Sequence, residues 1–330
     1  TTGVGLMEIS GFNRYEIRGA GAERWLDTQF CSRLPKKMGQ IALVYGLTDS
    51  GNVAVEATIA RVDEDRFWYG SAAAAELHDW DWLQRDKPDA VSMTALTDEF
   101  TTLVVAGPKA RPLMACFSPD RDWSTQGMPW LSTRSLDRVD CDAVVMCLSY
   151  SGETAFELHV PNPGLRECYR RLRQAGQAYD LTLFGLYATD SMRLEKGYRH
   201  WKSDLITEFN PFASGLGYFV KWDKAHFRGR EALAAMCEQP PRRQFVTMVL
   251  ESEDVVAHAG DSIVADSSVV GSVTSGGWGA RIDQNIAMGF VEPQYASVNT
   301  SVGVWVLGEE IPAKVTSACL FDPDNMRLRA

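Results

Sequence analysis

The segment from residue 41 to residue 70 constrains the fold more than any other. "IALVYGL" (41–47), "VAVEATIARV" (53–62) and "RFWYG" (66–70) are consecutive runs rich in β-branched and aromatic residues. "TDSGN" and "DED" stand between them with the composition of tight turns. Three such runs in succession predict an antiparallel meander, whose apolar face must be covered by a second layer. In the middle run, Val53, Val55, Ala57 and Ile59 share one face of the strand, and Ala54, Glu56, Thr58 and Ala60 share the other. Periodicity alone makes the Glu56 face the polar outside of a hairpin. Its small neighbours would also leave room for a flat ligand.

The rest of the chain extends this pattern. "NRYEIRG" (13–19) alternates like a strand and leads into a helix over 20–30. Residues 71–86 read as a helix opened by Ser71. Residues 101–107 and 108–117 repeat the strand-then-helix step, 143–150 form a strand, and 164–176 and 186–199 form helices. In "SYSGETAFELHVP" (149–161), Ser151-Gly152 signals a turn, and Phe156, Leu158 and Val160 alternate with Glu157 and His159. The expectation is a hairpin strand, not a helix pairing Glu153 with Glu157. Taken alone, Glu157 reads as an acid on a solvated strand face. After the Pro-rich break "CEQPPRRQ" (237–244) the texture changes to short strands and Gly turns. The expected organisation is an α+β region over residues 1–236 with antiparallel sheets, then a mostly β module over 245–330.

Composition excludes several classes. The net charge of −10 over 330 residues supplies no basic stripe for a nucleic acid. The seven cysteines include no CxxC pair, and the five histidines are scattered, so neither a metal site nor a disulfide framework is expected. That usage fits a reducing compartment, cytoplasm or mitochondrial matrix, with cytoplasm the expectation. No run has the length of a membrane span, and no signal-peptide pattern opens the chain. The sequence opens on Thr1 of "TTGVGLMEIS" and not on a methionine, which fits a fragment or a processed form. "GAGAER" (19–24) lacks the third glycine of a dinucleotide fingerprint. In "ATDSMRLEKGYR" (188–199) spacing predicts a Glu195–Arg199 pair, and Arg193 sits half-buried where it needs an acid or an anionic ligand.

Four long motifs give the chain a family likeness: "VGLMEISGFNRYEIRGAGAERWLD", "LSYSGETAFELHVP", "DSMRLEKGYRHWKSDLITEFNPFASGLGYFVKWDKAHFRGREAL" and "GSVTSGGWGARIDQNIAMGFV". It resembles the glycine-cleavage T-protein (aminomethyltransferase) family along essentially all of its length. Within that family it is most like the folate-binding C-terminal half of dimethylglycine and sarcosine dehydrogenases. The resemblance implies a three-module cloverleaf, two intertwined α+β modules and a C-terminal distorted β-barrel, around a central hole that takes tetrahydrofolate. It implies a tetrahydrofolate-dependent one-carbon transferase in demethylation of a methylated amine. The alternatives are a direct methyltransferase (demethylase) on a sulfonium or methyl-ether donor, and a non-catalytic folate-binding subunit of a flavoprotein complex.

By the same resemblance Glu157 grips the amino end of the pterin, since a carboxylate accepts two adjacent N–H donors bidentately. Tyr150, Thr58 and Gly70 match positions that line the pocket. Arg193 matches the arginine of the family's "LRLE" motif, with a structural role as the alternative. Glu56 falls where the family carries its catalytic aspartate, so the carboxylate reaches one methylene further. Thr154 and Ala155 also depart from the usual turn sequence. No flavin domain is present in these residues, so amine oxidation calls for a flavoprotein partner or a missing N-terminal domain.

Overall fold

The computed structural model describes residues 2–137 and 143–330; Cys141 lies outside the described residues. The chain opens with β1 (Gly5–Glu8), β2 (Asn13–Arg18) and α1 (Ala22–Gln29). The meander follows as β3 (Ile41–Leu47), β4 (Val53–Asp63) and β5 (Arg66–Ser71). Next come α2 (Glu76–Gln84), β6 (Ser92–Ala95), β7 (Phe100–Ala106), α3 (Ala110–Phe117), β8 (Ser132–Leu136) and β9 (Ala143–Cys147). β10 (Ala155–Pro161), α4 (Leu165–Gly176), β11 (Thr182–Leu183), α5 (Leu186–Lys196) and α6 (Arg230–Met236) lead to the Pro-rich break. Beyond it lie β12 (Gln244–Leu250), β13 (Ser262–Ala265), β14 (Ser268–Gly279), β15 (Gln284–Val291), β16 (Ser301–Val306) and β17 (Glu309–Thr316).

These strands make three β layers. A five-stranded sheet runs in the order β3-β4-β5-β2-β6, and a six-stranded sheet in the order β11-β1-β7-β10-β9-β8. The six strands after the break close into a barrel, β12-β15-β14-β13-β16-β17. Because β1 and β2 enter different sheets, the two sheets are interleaved along the chain. The six-stranded sheet buries Phe156, Leu158 and Val160 against α3 and α4. The five-stranded sheet buries Val55, Ala57 and Ile59 with α1 and α2 residues such as Leu26 and Leu83. Their other faces meet through a third cluster, in which Ile41, Ala60 and Trp68 of one sheet touch Met146 of the other. Each such fully buried side chain is worth roughly 1.5–3 kcal/mol. Among the described residues no helix is long and apolar enough to cross a membrane.

Three expectations change. Ser71 does not open a helix: it closes β5, held by the Asn13 side chain, which accepts from its backbone N–H at 3.0 Å. Its hydroxyl donates to the fully buried Asp79, and a 3-10 turn over Ala73–Ala75 separates it from α2. The two faces assigned to β4 hold only from Val55 onward. A bulge where the β3–β4 register shifts between Gly46 and Leu47 sends Ala54 into the cluster of Val55 and Ala57. The Glu195–Arg199 pair does not form, because α5 ends at Gly197 with φ of 69°. Only glycine fits there, since a Cβ would lie 1.9 Å from the Ala318 carbonyl oxygen. Arg199 is thereby turned away, and Glu195 accepts instead from Arg281, from its backbone N–H at 2.6 Å and from Nε.

Arg281 also donates to Glu153 at 3.1 Å, so one cation serves two carboxylates that are 0–2% exposed. Arg281→Met leaves the buried Glu195 without a cationic partner and Glu153 with Arg327 alone, and should lower the unfolding free energy by about 3–5 kcal/mol, read from urea unfolding. Arg33→Ala, which removes an exposed pair with Asp223, should leave the urea midpoint unmoved. An unchanged midpoint in Arg281→Met would mean that this junction contributes nothing to stability.

Candidate functional site

The site is built on the face of the five-stranded sheet that looks toward the six-stranded one. Register places Leu43, Thr58, Gly70 and Arg14 in one cross-strand row. The next row on this face holds Ile41, Ala60 and Trp68, the residues that pack on Met146. Met146 is the cross-strand partner of Glu157, so both point from the six-stranded sheet toward the same space. The Glu56 face is therefore not the outside of a hairpin. Glu56, Thr58, Gly70 and Glu157 all open on the cleft between the two sheets.

Glu56 stands opposite Tyr45, whose hydroxyl donates to Oε2 at 2.7 Å. The β3–β4 bulge creates this pairing; continuing the Leu47–Val53 register would have set Tyr45 against Val55. Burial pushes the Glu56 carboxyl up to about 7, against the Tyr45 hydrogen bond and the charge of Arg199, with Asp204 adding to the rise. Burial likewise raises Tyr45, Tyr150 and Tyr218, and each also feels the charge of Glu56. A carboxyl that titrates near neutrality inside a ring of phenols is suited to proton transfer.

Tyr150 is 37% exposed, stacks on Tyr198 at 5.9 Å and donates to the Arg199 carbonyl at 2.9 Å. Arg199 itself is held by the carbonyls of Gly197 and Ser214 and lies 4.7 Å over the Phe245 ring. Above Gly70 the protein leaves space: a Cβ would meet only the Asn13 carbonyl oxygen, at 3.7 Å. Arg193 is 4% exposed and donates to Asp190, Asp204, Ser275 and the Tyr198 carbonyl. Its bonds run to the protein, and they tie α5 to the 198–204 loop and to β14.

Glu157 has its own neighbours. His159 Nε2 lies 3.4 Å from its Oε2, and the charge of Glu157 acts on Arg14 across the cleft. Sequence reasoning missed Tyr45, Arg199, Asp204 and Tyr218 around Glu56, and Arg14 and Thr102 behind His159. Arg14 alternates correctly within "NRYEIRG", but nothing in one strand reveals the sheet it will face. Among the described residues no group of three or more His, Cys, Asp or Glu side chains could hold a metal ion.

The GCVT N-terminal domain family matches residues 1–224, and the glycine cleavage T-protein C-terminal barrel domain family matches residues 243–322. Over 99% of its length the chain is 32% identical to the mitochondrial dimethylglycine dehydrogenase of Mus musculus, of which it spans 38%. It is 28% identical, again over 99% of its length, to the 4-methylaminobutanoate oxidase (formaldehyde-forming) of Paenarthrobacter nicotinovorans, spanning 40% of that protein. The crystal structure of the glycine cleavage system aminomethyltransferase T from Bartonella henselae shares its fold. The TM-score is 0.86 over 96% of this chain and 86% of that chain, at 24% identity.

Glu56 holds its proton more tightly when folded than when unfolded, so raising the pH from about 4.5 to about 7 erodes stability as the carboxyl ionises. Glu56→Gln removes that cost. At pH 8 the variant should outlast the parent in urea by on the order of 2 kcal/mol, and the two should converge near pH 4. Equal stability at both pH values would place the carboxyl in its ordinary range.

Proposed function

The chain belongs to the glycine-cleavage T-protein family, and on that premise we propose that it is a tetrahydrofolate-dependent one-carbon transferase acting in demethylation of a methylated amine. The observation that carries the reading is the pair of carboxylates, Glu56 and Glu157, opening on one cleft from two different sheets. The residues present fit tetrahydrofolate. A 2-amino-4-oxo pterin edge offers adjacent N–H donors, and Glu157 offers a carboxylate that accepts them in parallel. Thr58 and the open backbone at Gly70 leave room for a flat ring, and Tyr150 presents a partly exposed aromatic face beside it.

When bound, tetrahydrofolate supplies the nitrogens that accept the one-carbon unit. Glu157 anchors and orients the ring edge. Glu56 divides near pH 7 between its neutral and ionised forms, so it can take a proton from an accepting nitrogen and return one to the departing amine. Its ionised form stabilises positive charge on an iminium donor. Tyr45 fixes the direction of that carboxylate and takes up the extra methylene of a glutamate. We assign Arg193 a holding part, locking Asp204 and the loop that carries Arg199, with no contact to ligand.

Donor class is read from the relatives, two of which are named for oxidising N-methylated amines. In each of them this chain matches less than half of the protein, which fits an iminium source outside these residues, either a flavoprotein partner or a flavin domain of the same protein. Titration with tetrahydrofolate should quench tryptophan fluorescence. Glu157→Ala should abolish the quench; Glu56→Ala should keep it while cutting turnover about 10²- to 10⁴-fold, measured with sarcosine or dimethylglycine and a flavoprotein amine dehydrogenase. A 5,10-methylene product supports transfer from an oxidised amine. A 5-methyl product would mean direct methyl transfer from a sulfonium or ether donor instead; quenching retained in Glu157→Ala would remove the anchor role, and no quenching of the parent protein would remove folate from the reading.

A further inference from the structure

Behind Glu157 lies a polar chain that no ligand contact explains. Arg14, Thr102 and His159 come from β2, β7 and β10 and are 3%, 0% and 5% exposed. Buried polar side chains at this depth are costly unless their donors and acceptors are matched in order. The order can be worked out from chemistry alone. Arg14 has only donors, and its Nη2 lies 2.5 Å from Thr102 Oγ1, so the threonine oxygen accepts there. The single hydroxyl proton of Thr102 is then free for His159 Nδ1, 3.0 Å away. Thr102 Oγ1 has two lone pairs, so the tautomer is set by where its one buried proton goes; given to Nδ1, it leaves a neutral ring with its own proton on Nε2, toward Glu157 Oε2.

That Nε2 has no hydrogen-bond partner at normal range among the described residues, and Glu157 Oε2 stands 3.4 Å in front of it. We propose that His159, held as the Nε2–H tautomer by Arg14 through Thr102, is the positioning residue that aims the Glu157 carboxylate into the cleft. The proposal rests on the reading of Glu157 as the pterin anchor.

Three further observations support it. Burial lowers the pKa of His159 and the charge of Arg14 lowers it further, outweighing Glu157, so the ring stays neutral at physiological pH. The ring is fixed edge-on to Trp68, with centroids 5.9 Å apart and planes at 86°. Arg14 cannot swing away, since its guanidinium lies 5.9 Å from the Trp68 ring centre and 5.7 Å from that of Phe100. Arg14 Nη1 is also without a hydrogen-bond partner among the described residues, and the guanidinium feels the charge of Glu157. With Nε2 3.4 Å behind Oε2, Oε1 and the outward lone pairs of Oε2 remain for two parallel N–H donors.

A buried histidine with a purely structural part would share much of this geometry, so the test must separate the two ring nitrogens. Glutamine places an N–H near the Nε2 position and asparagine near Nδ1. His159→Asn should weaken tetrahydrofolate binding by about 10- to 100-fold, the loss of a hydrogen bond to a charged group. His159→Gln should recover most of that loss. In the unliganded parent, ¹H–¹⁵N correlation spectra should show His159 protonated at Nε2 and bare at Nδ1, and Thr102→Val should disturb that signature.

A protonated Nδ1 in the parent, or equal affinity in the Asn and Gln variants, would overturn the proposal. Glu157→Ala distinguishes the two levels. If that variant binds tetrahydrofolate like the parent, the anchor reading fails; if it loses binding while both His159 variants keep it, only the positioning role fails. Because Gln and Asn are both polar and smaller than the ring, circular dichroism on each confirms folding before affinities are compared.

Discussion

One helix of eleven residues draws three charges into the interior, and the junction of the modules depends on how they are neutralised. Arg193, Glu195 and Lys196 of α5 are each at most 4% exposed. Unpaired, any one of them would cost several kcal/mol. Each finds its partner in a different part of the chain. Arg193 meets Asp204, whose carboxylate also takes the hydroxyls of Thr274 and Ser275 on β14. Glu195 meets Arg281 in the β14–β15 turn, and Lys196 meets the Asp322 carbonyl and Asn325. The barrel, the following segment and the cleft-bearing region are thus joined through buried ion pairs whose geometry admits little slippage. Glu153 belongs to the same junction through Arg281 and Arg327.

The two carboxylates of the cleft show how surroundings divide the work between like groups. Glu56 is desolvated and bonded to a phenol, an environment that keeps a proton within reach at neutral pH. Glu157 faces an imidazole and the field of a guanidinium. Environments this different suit the two parts proposed for them, proton handling by Glu56 and directional acceptance by Glu157. The Glu56 carboxylate is held by a tyrosine on the neighbouring strand, Tyr45, whose hydroxyl donates to Oε2 at 2.7 Å.

The sequence was most legible where one period or one turn decides the outcome. The meander over 41–70, the strand carrying Glu157 and the change of texture at the Pro-rich break rest on period-two alternation and turn chemistry, and each has its counterpart in the structure. Glu56 was found by family likeness, while periodicity alone put it on the wrong side of the hairpin. That error has a physical source. Whether a strand face is inside depends on a second sheet, which is assembled from residues a hundred positions away. The bulge that pairs Tyr45 with Glu56 was invisible for a similar reason, since register is settled by packing on both faces. Ser71 and Glu195 had plausible local roles and took distant partners, the Asn13 side chain on β2 and Arg281 in the β14–β15 turn.

The interleaving of the two sheets has a consequence for how the chain comes into being. Gly5 of β1 pairs with Ala106 of β7 on one side and with Thr182 of β11 on the other. Within these residues, β1 therefore lacks its sheet neighbour until about ten seconds of further synthesis, at roughly 10 residues per second, have delivered β7. β2, which follows it directly, can already join β5 and the meander. Topology thus sets an order of birth in which the five-stranded sheet takes shape first. The cleft between the sheets, and with it the meeting of Glu56 and Glu157, is a late event that no early fragment of this chain can contain.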